Sequence, residues 1–144
     1  MAVNEPAANG QEMPDIVLAA GVLATSEVSF LLVGSAALWL RGEPIPVGDV
    51  DAVIEPGEAN LRRLREALVA LAIKPGSVPG LGRLREIHIS STVTAYGKID
   101  CLLERGRRDW DRLRRNARYI AIADVPVLVA SAPDAWALRH RFKS

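Results

Sequence analysis

The sequence predicts a single α/β domain, in which a mixed sheet of about five strands is flanked by helices. Short apolar runs of strand length recur at Phe30–Val33, Ala52–Ile54 and Val125–Ala130. Between the second and third runs, leucines at helical spacing indicate an amphipathic helix. Segments typical of strands and of helices thus alternate along the chain, which favours an α/β or α+β class.

Length and composition narrow the class of protein. The chain has 144 residues, enough for one domain with a sizeable core. We place that domain at residues 13–144, behind a loose or disordered tail over 1–12. Its 49% hydrophobic and 24% charged residues indicate a globular protein, whereas the net charge of +1 predicts no particular partner.

Two further features bear on the compartment. The single cysteine, Cys101, excludes an internal disulfide framework and suits a reducing environment. The longest apolar stretch, Ile16–Ala24, is far short of the roughly 20 residues that a membrane span needs. Because no secretory signal is visible either, we expect a cytoplasmic protein without a membrane partner.

A helix and a strand–turn–helix unit open the predicted domain. Asp15 is expected to cap a helix that runs to about Ala24. The apolar run Phe30–Val33 is predicted to be a buried strand. A sharp turn at Gly34-Ser35 follows, and Ser35 is expected to cap a short helix over 36–40.

Two carboxylates stand at the start of the next strand. Because side chains alternate along a strand, Asp49 and Asp51 should point the same way while Val50 points into the protein. Two carboxylates that face a Gly-Ser turn make a poor core but a good site for a divalent cation. The pattern also allows Asp49 merely to cap a turn and Asp51 to be exposed.

The middle of the chain carries the clearest helix and a hairpin. The helix starts at Pro56-Gly57-Glu58, and its apolar face is formed by Leu61, Leu64, Leu68 and Leu71. Residues 75–84 are rich in glycine and proline and are predicted to form an exposed loop. Strands at Glu86–Thr94 and Lys98–Leu103, joined by a turn at Tyr96-Gly97, are predicted to pair as a hairpin.

The segment Glu104–Arg118 contains seven arginines. Its apolar stripe of Trp110, Leu113 and Ala117 predicts an amphipathic helix. The arginines could bind RNA phosphates or an acidic partner, or they could form a solvated face balanced by nearby aspartates. After the last strand, Ser131 is expected to cap a final helix that runs to about Phe142.

The central motifs resemble those of the nucleotidyltransferase superfamily, especially its small bacterial members of the toxin–antitoxin and abortive-infection type. The shared order is an apolar strand ending in Val33-Gly34-Ser35, a short helix, a loop over 42–48, and Asp49-Val50-Asp51. The resemblance extends over roughly residues 28–140 and implies a minimal nucleotidyltransferase-like fold.

The resemblance continues downstream and implies a metal site. Tyr96–Leu103 is similar to the strand that carries the family's third carboxylate, here Asp100. Asp49, Asp51 and Asp100 would then be the catalytic residues and would bind Mg²⁺, whose preferred ligands are hard oxygens. Cys101 follows Asp100 and should therefore lie buried on the opposite face, inert.

The resemblance also implies a nucleotide and an acceptor. The NTP would contact Gly34, Ser35 and Arg139, the last standing where the family has a lysine on its final helix. A nucleoside monophosphate would pass to an RNA such as tRNA or to a protein, and a cognate toxin or antitoxin would be a partner.

This chain departs from the family pattern ahead of Asp49. Relatives carry Arg-x-Thr there, whereas this chain has Ile45 and Val47. A replacement cation would have to come from elsewhere, and the candidates are Arg41, Arg83 and Arg85. We therefore expect a weakened triphosphate site, and two alternatives stay open: a degenerate member that binds nucleotide, RNA or a partner protein without turnover, and a structural interaction domain that uses the arginine-rich helix.

Overall fold

The protein contains one mixed sheet of six strands. Its computed structural model describes residues 12–103 and 106–143, with side chains as far as residue 138. The elements in chain order are α1 (Asp15–Thr25), β1 (Phe30–Val33), α2 (Gly34–Leu40), β2 (Val50–Ile54), α3 (Glu58–Leu71), a 3₁₀ turn (Pro75–Ser77), α4 (Leu81–Leu84), β3 (Ile89–Thr94), β4 (Gly97–Leu102), α5 (Arg107–Asn116), β5 (Arg118–Ile122), β6 (Val125–Val129) and α6 (Ala132–Lys143). Apart from its last residue, the tail predicted over 1–12 lies outside the described residues.

The strand order is β3-β4-β2-β1-β6-β5. β1 pairs antiparallel with β2 and parallel with β6, and β2 pairs parallel with β4. The two edges are antiparallel hairpins, β3–β4 and β5–β6. The parallel pairs place the carboxyl ends of β1 and β6 together, beside the amino ends of β2 and β4.

The sheet has one strand more than the predicted five. The additional strand is β5, because the basic helix ends at Asn116 rather than at Arg118. β5 buries Ile120 and Ile122 and turns into β6 through Ala123 and Asp124, whose φ angles are 47° and 69°. Two consecutive residues at positive φ form the tight turn that suits a hairpin, but this one lacks the Asn-Gly signature by which such turns are usually recognised.

The core lies between this sheet and two groups of helices. All residues of β1 and β2 are buried. On the sheet α1 packs with α3, while α2 packs with α6 against β1 and β2. The predicted hairpin and the helix of regularly spaced leucines are both confirmed: Leu61, Leu64 and Leu68 are buried along α3.

Three local predictions are wrong. Asp15 is the first residue of α1, which Pro14 precedes without a side-chain cap. Ser35 lies within α2 rather than at its cap, because the helix already begins at Gly34. Residues 75–84 are mostly exposed, as predicted, but they are not a loop, since they hold the 3₁₀ turn and α4 and bury Val78 and Leu84. At α6, by contrast, the predicted cap is confirmed by a 3.3 Å hydrogen bond from Asp134 N to Ser131 Oγ.

Candidate active site

Asp51 and Asp100 lie side by side on neighbouring strands. The parallel register of β2 and β4 pairs these two residues directly. The same register continues outward, from Asp51 to Val33 on β1 and from Asp100 to Ser91 on β3. Because residues paired across strands share a face of the sheet, the four side chains form one row across four strands.

The turn at Gly34 is shaped around the Asp51 carboxylate. Gly34 has a φ of +67°, and a Cβ at this position would lie 2.6 Å from Asp51 Oδ2. Only a residue without a side chain allows the backbone to approach the carboxylate so closely. Asp51 is only 3% exposed, so the alternative in which it is an exposed residue is wrong. Ser35, the next residue, is also buried.

Asp49 and Asp100, which are more exposed, share one lysine. Lys98 Nζ lies 3.4 Å from Asp49 Oδ2 and 3.9 Å from Asp100 Oδ1. Lys98 and Asp100 are two residues apart on β4 and therefore project from the same face. Asp100 Oδ1 also accepts a 2.6 Å hydrogen bond from Ser91 Oγ on β3, the strand on the far side of β4 from Asp51. The Asp100 carboxylate is thus held toward the edge of the sheet.

The three carboxylates fit Mg²⁺ in the chemistry of their donors. Carboxylate oxygens are the hard ligands that this cation prefers, and the glycine at position 34 leaves space above Asp51 that a side chain would fill. Among the described residues, however, no three His, Cys, Asp or Glu side chains are arranged closely enough to hold a metal ion. The side chains of Asp49, Asp51 and Asp100 would therefore have to rearrange to close such a site.

The arginines considered as replacements for Ile45 have other partners or positions. Arg41 Nε donates to Ala130 O at 2.6 Å; burial lowers the pKa of its guanidinium, and the positive charge of Arg118 lowers it further. Arg85 forms an ion pair with Glu58 at the start of α3, beyond the end of β2 opposite to Asp49. Arg83 stands on α4, next to this ion pair.

Of the remaining positions considered for the nucleotide site, Ile45 and Val47 can be placed and the side chain of Arg139 cannot. The side chain of Arg139 lies outside the described residues, so its contact with the triphosphate stays a prediction. Ile45 and Val47 are half-buried and pack against the core. At these positions, apolar contact replaces the polar groups that the family pattern would present to a phosphate.

Cys101 is buried on the opposite face of β4, as predicted. Burial, reinforced by the charge of Asp100, raises the pKa of its thiol to about 12. A thiol that stays protonated and inaccessible is a poor nucleophile, so this residue belongs to the core.

The arginine-rich helix is α5, which buries Trp110 and Leu113 as predicted. Arg107 forms an ion pair with Glu55, and its Nη1 atom lies 4.0 Å from Asp111 Oδ1, one turn along the helix. Arg112 pairs with Asp134 of α6 at 3.1 Å. These two arginines therefore tie α5 to the domain.

Comparison with known proteins identifies a fold but no family. No family model matches the chain, and no curated protein matches it significantly. Among solved structures, it is similar to a crystal structure from Thermotoga maritima whose assignment as a nucleotidyltransferase is provisional, with a TM-score of 0.61 and 15% sequence identity. The similarity covers 88% of this chain and 81% of that one. This chain shares the fold of that structure.

The predicted fold class is thereby confirmed, while an identity of 15% says nothing about the reaction. No helix in the described part of this nucleotidyltransferase-like chain is long and apolar enough to cross a membrane. The roles assigned to Asp49, Asp51 and Asp100 stay predictions, although the structure brings Asp51 and Asp100 together and links Asp49 to Asp100 through Lys98.

Sequence reasoning missed Lys98 and Ser91 as residues of this candidate site. Strand alternation alone places Lys98 on the same face as Asp100. The hairpin turn lies at Ala95-Tyr96, one residue before the predicted Tyr96-Gly97, and only this register places Ser91 opposite Asp100. The contact between Lys98 and Asp49 could not have been found in this way, because it depends on the register between β2 and β4.

Proposed function

We propose that this protein is a Mg²⁺-dependent nucleotidyltransferase, which transfers a nucleoside monophosphate from an NTP to an RNA or protein acceptor. The observation that carries the proposal is the in-register pair Asp51 and Asp100, set beside the Gly34 backbone in a nucleotidyltransferase fold. Buried charges in proteins are paired or coordinate a metal ion, and a bound Mg²⁺ would supply positive charge beside the buried Asp51 carboxylate.

The three carboxylates differ in exposure, and their proposed roles differ accordingly. Asp51 has a fixed position at the sheet centre, whereas Asp49 and Asp100 lie on the open side, from which an acceptor would approach. Bound Mg²⁺ would neutralise charge on the triphosphate and activate the acceptor hydroxyl. The acceptor oxygen then bonds to the α-phosphorus, the bond to the bridging oxygen breaks, pyrophosphate leaves, and the hydroxyl proton passes to solvent.

An RNA acceptor would meet the basic surface of α5. Arg108, Arg114 and Arg115 are exposed on this helix, in contrast to the paired Arg107 and Arg112. Their charge suits a phosphate backbone. The same proposal includes a cytoplasmic role as one component of a toxin–antitoxin pair, in which the cognate partner is a protein.

A second candidate function is nucleotide binding without turnover. The position of Lys98 between Asp49 and Asp100 favours it, because an ammonium already balances charge that a metal would otherwise balance. The apolar residues Ile45 and Val47 favour it too, since an arginine at the first position would stabilise the transferring phosphoryl group.

The deciding experiment measures radiolabelled transfer from each of the four NTPs, with Mg²⁺, to tRNA and to protein acceptors. Asp51→Asn keeps the shape of the side chain and should lower the rate by about a hundredfold or more, as loss of an electrostatic contact to a transition state does. Asp124→Asn, an exposed carboxylate in the β5–β6 turn at the other end of the sheet, is the matched control and should transfer at the wild-type rate.

Calorimetry with Mg²⁺ and NTP separates the two candidates. Binding that Asp51→Asn removes, without any transfer, supports the second function. A transfer rate that Asp51→Asn leaves unchanged contradicts the first, and the absence of both binding and transfer contradicts both.

A further inference from the structure

We infer that Lys98 is a built-in cation that competes with a divalent metal ion for Asp49 and Asp100. The inference rests on the proposed function and concerns how readily its metal site forms. Lys98 thus acts as a residue that sets metal affinity, and the wild-type protein needs a higher metal concentration than its carboxylates alone would require.

The first observation behind this inference is the position of the Lys98 ammonium. Lys98 Nζ lies 3.4 Å from one Asp49 oxygen and 3.9 Å from one Asp100 oxygen, so a single positive charge bridges the two carboxylates. A metal ion shared by these carboxylates would neutralise the same two charges. The ammonium and a metal ion therefore exclude each other for electrostatic reasons, because two cations between one pair of carboxylates repel.

The second observation is that the Asp100 carboxylate already has partners. Its Oδ1 atom accepts from Ser91 on β3 and lies 3.9 Å from Lys98 Nζ, so this oxygen already has two partners. A metal ion that took Oδ1 as a ligand would have to replace the Lys98 contact. In the present arrangement, no three acidic, His or Cys side chains among the described residues could hold a metal ion.

The third observation is the partial exposure of Lys98, Asp49 and Asp100. The side chain of Lys98 is 43% exposed, and those of Asp49 and Asp100 are 29% and 14% exposed. Partly exposed ion pairs are weak, and the long lysine side chain is flexible. A divalent ion at sufficient concentration can therefore displace the ammonium, so that Lys98 raises the threshold for metal binding without abolishing it.

The test is Mn²⁺ binding without nucleotide, measured from the signal of the free ion in electron paramagnetic resonance. Lys98→Met should bind Mn²⁺ about fivefold more tightly than the wild type, the change that loss of a weak competing ion pair would produce. Lys74→Met is the matched control, since it removes the same charge from an exposed position before the 3₁₀ turn, and its affinity should stay within about twofold of the wild type.

Two further variants separate this role from a purely structural one. Lys98→Arg keeps the positive charge and should keep the wild-type affinity for Mn²⁺. Lys98→Gln removes the charge but stays polar, so it should match Lys98→Met and covers the case in which Met disturbs the fold. Adding Asp100→Asn to Lys98→Met should cancel the gain, because Asp100 would be one of the ligands.

Failure of this inference can be told apart from failure of the proposed function. Equal or weaker Mn²⁺ binding by folded Lys98→Met and Lys98→Gln overturns the inference, even if the wild type transfers nucleotides. Tighter Mn²⁺ binding by both variants supports it, even if no NTP is ever transferred.

Discussion

The two halves of the candidate site are built by different means. At the centre of the sheet, Gly34 and Asp51 belong to elements whose residues are all buried, and backbone geometry fixes the carboxylate. At the edge, Asp100 is positioned by two side chains, Ser91 and Lys98. Backbone packing tolerates little change, whereas side-chain contacts can exchange partners. The central half is therefore a fixed platform, and the edge is the half that can adapt to a ligand.

The edge strand β3 also differs from the sheet centre in how firmly it is held. β3 is polar even on its buried face, which is formed by Ser90, Thr92 and Thr94. Within the described residues, the buried hydroxyls of Ser90 and Thr92 have no hydrogen-bond partner. Leaving such groups unsatisfied costs stability, so this edge is held less tightly than the centre.

The largest expected effect tests the central platform. Gly34→Ala should destabilise the protein by about 2–4 kcal/mol, because the new Cβ meets the Asp51 carboxylate and the backbone has an unfavourable φ for alanine. Urea denaturation measures the loss. Gly48→Ala is the control, since open space surrounds that position.

The contribution of the carboxylate to this strain can be isolated. Adding Asp51→Ala to Gly34→Ala removes the clashing oxygen and should recover part of the stability, with the φ penalty left. If Gly34→Ala denatures at the same urea concentration as Gly48→Ala, the centre is not the rigid half and the comparison fails.

A smaller effect of opposite sign is expected at the edge. Thr92→Val should stabilise the protein by about 1 kcal/mol, because a methyl group replaces a buried hydroxyl that lacks a partner. Thr94→Val is the contrasting variant and should destabilise, since Thr94 Oγ1 donates to Gly97 O at 2.8 Å and accepts from Tyr96 N at 3.0 Å. Thermal melts of both variants give the two signs, and a Thr92→Val variant that melts below the wild type would contradict this account of the edge.

The smallest effect concerns the far end of β2, where Glu55 offers a carboxylate with a purely structural role. Burial raises the pKa of this carboxyl, but hydrogen bonds from Arg107 and from the Gly57 amide outweigh it, so the net pKa is lowered. A lowered pKa means that the ionised form stabilises the fold above the unfolded pKa of about 4.3 and that this contribution is lost as the pH falls through the folded value.

Glu55→Gln should therefore cost about 0.5 kcal/mol at neutral pH, a modest figure because the Arg107 partner is mostly exposed. The difference from wild type should shrink below about pH 4. Denaturation at pH 7 and pH 3.5 measures it, with the exposed Glu43→Gln as control. A difference that stays constant with pH would mean that the Glu55 charge contributes nothing.

The sequence predicted most of the sheet centre and the hairpin, because apolar runs and alternation report burial directly. It did not predict β5, whose turn through Ala123 and Asp124 carries no glycine or asparagine. In the site, alternation and the family resemblance together predicted that Asp51 and Asp100 lie close to each other, and the strand register pairs them; their catalytic roles stay predictions. The contact of Lys98 with Asp49 could not be predicted, because it joins side chains whose distance depends on the pairing of two strands remote in sequence.

The parallel pairing of β2 with β4 also determines when the candidate site can come into existence. Parallel neighbours require a crossover connection, here the chain from α3 through β3, so Asp51 cannot meet Asp100 until that long loop has closed. Before closure, Gly34 and Asp51 can already be adjacent through the antiparallel pairing of β1 with β2. The contact between Gly34 and Asp51 thus depends on one antiparallel strand pairing, whereas the pair of Asp51 and Asp100 requires the closed crossover as well.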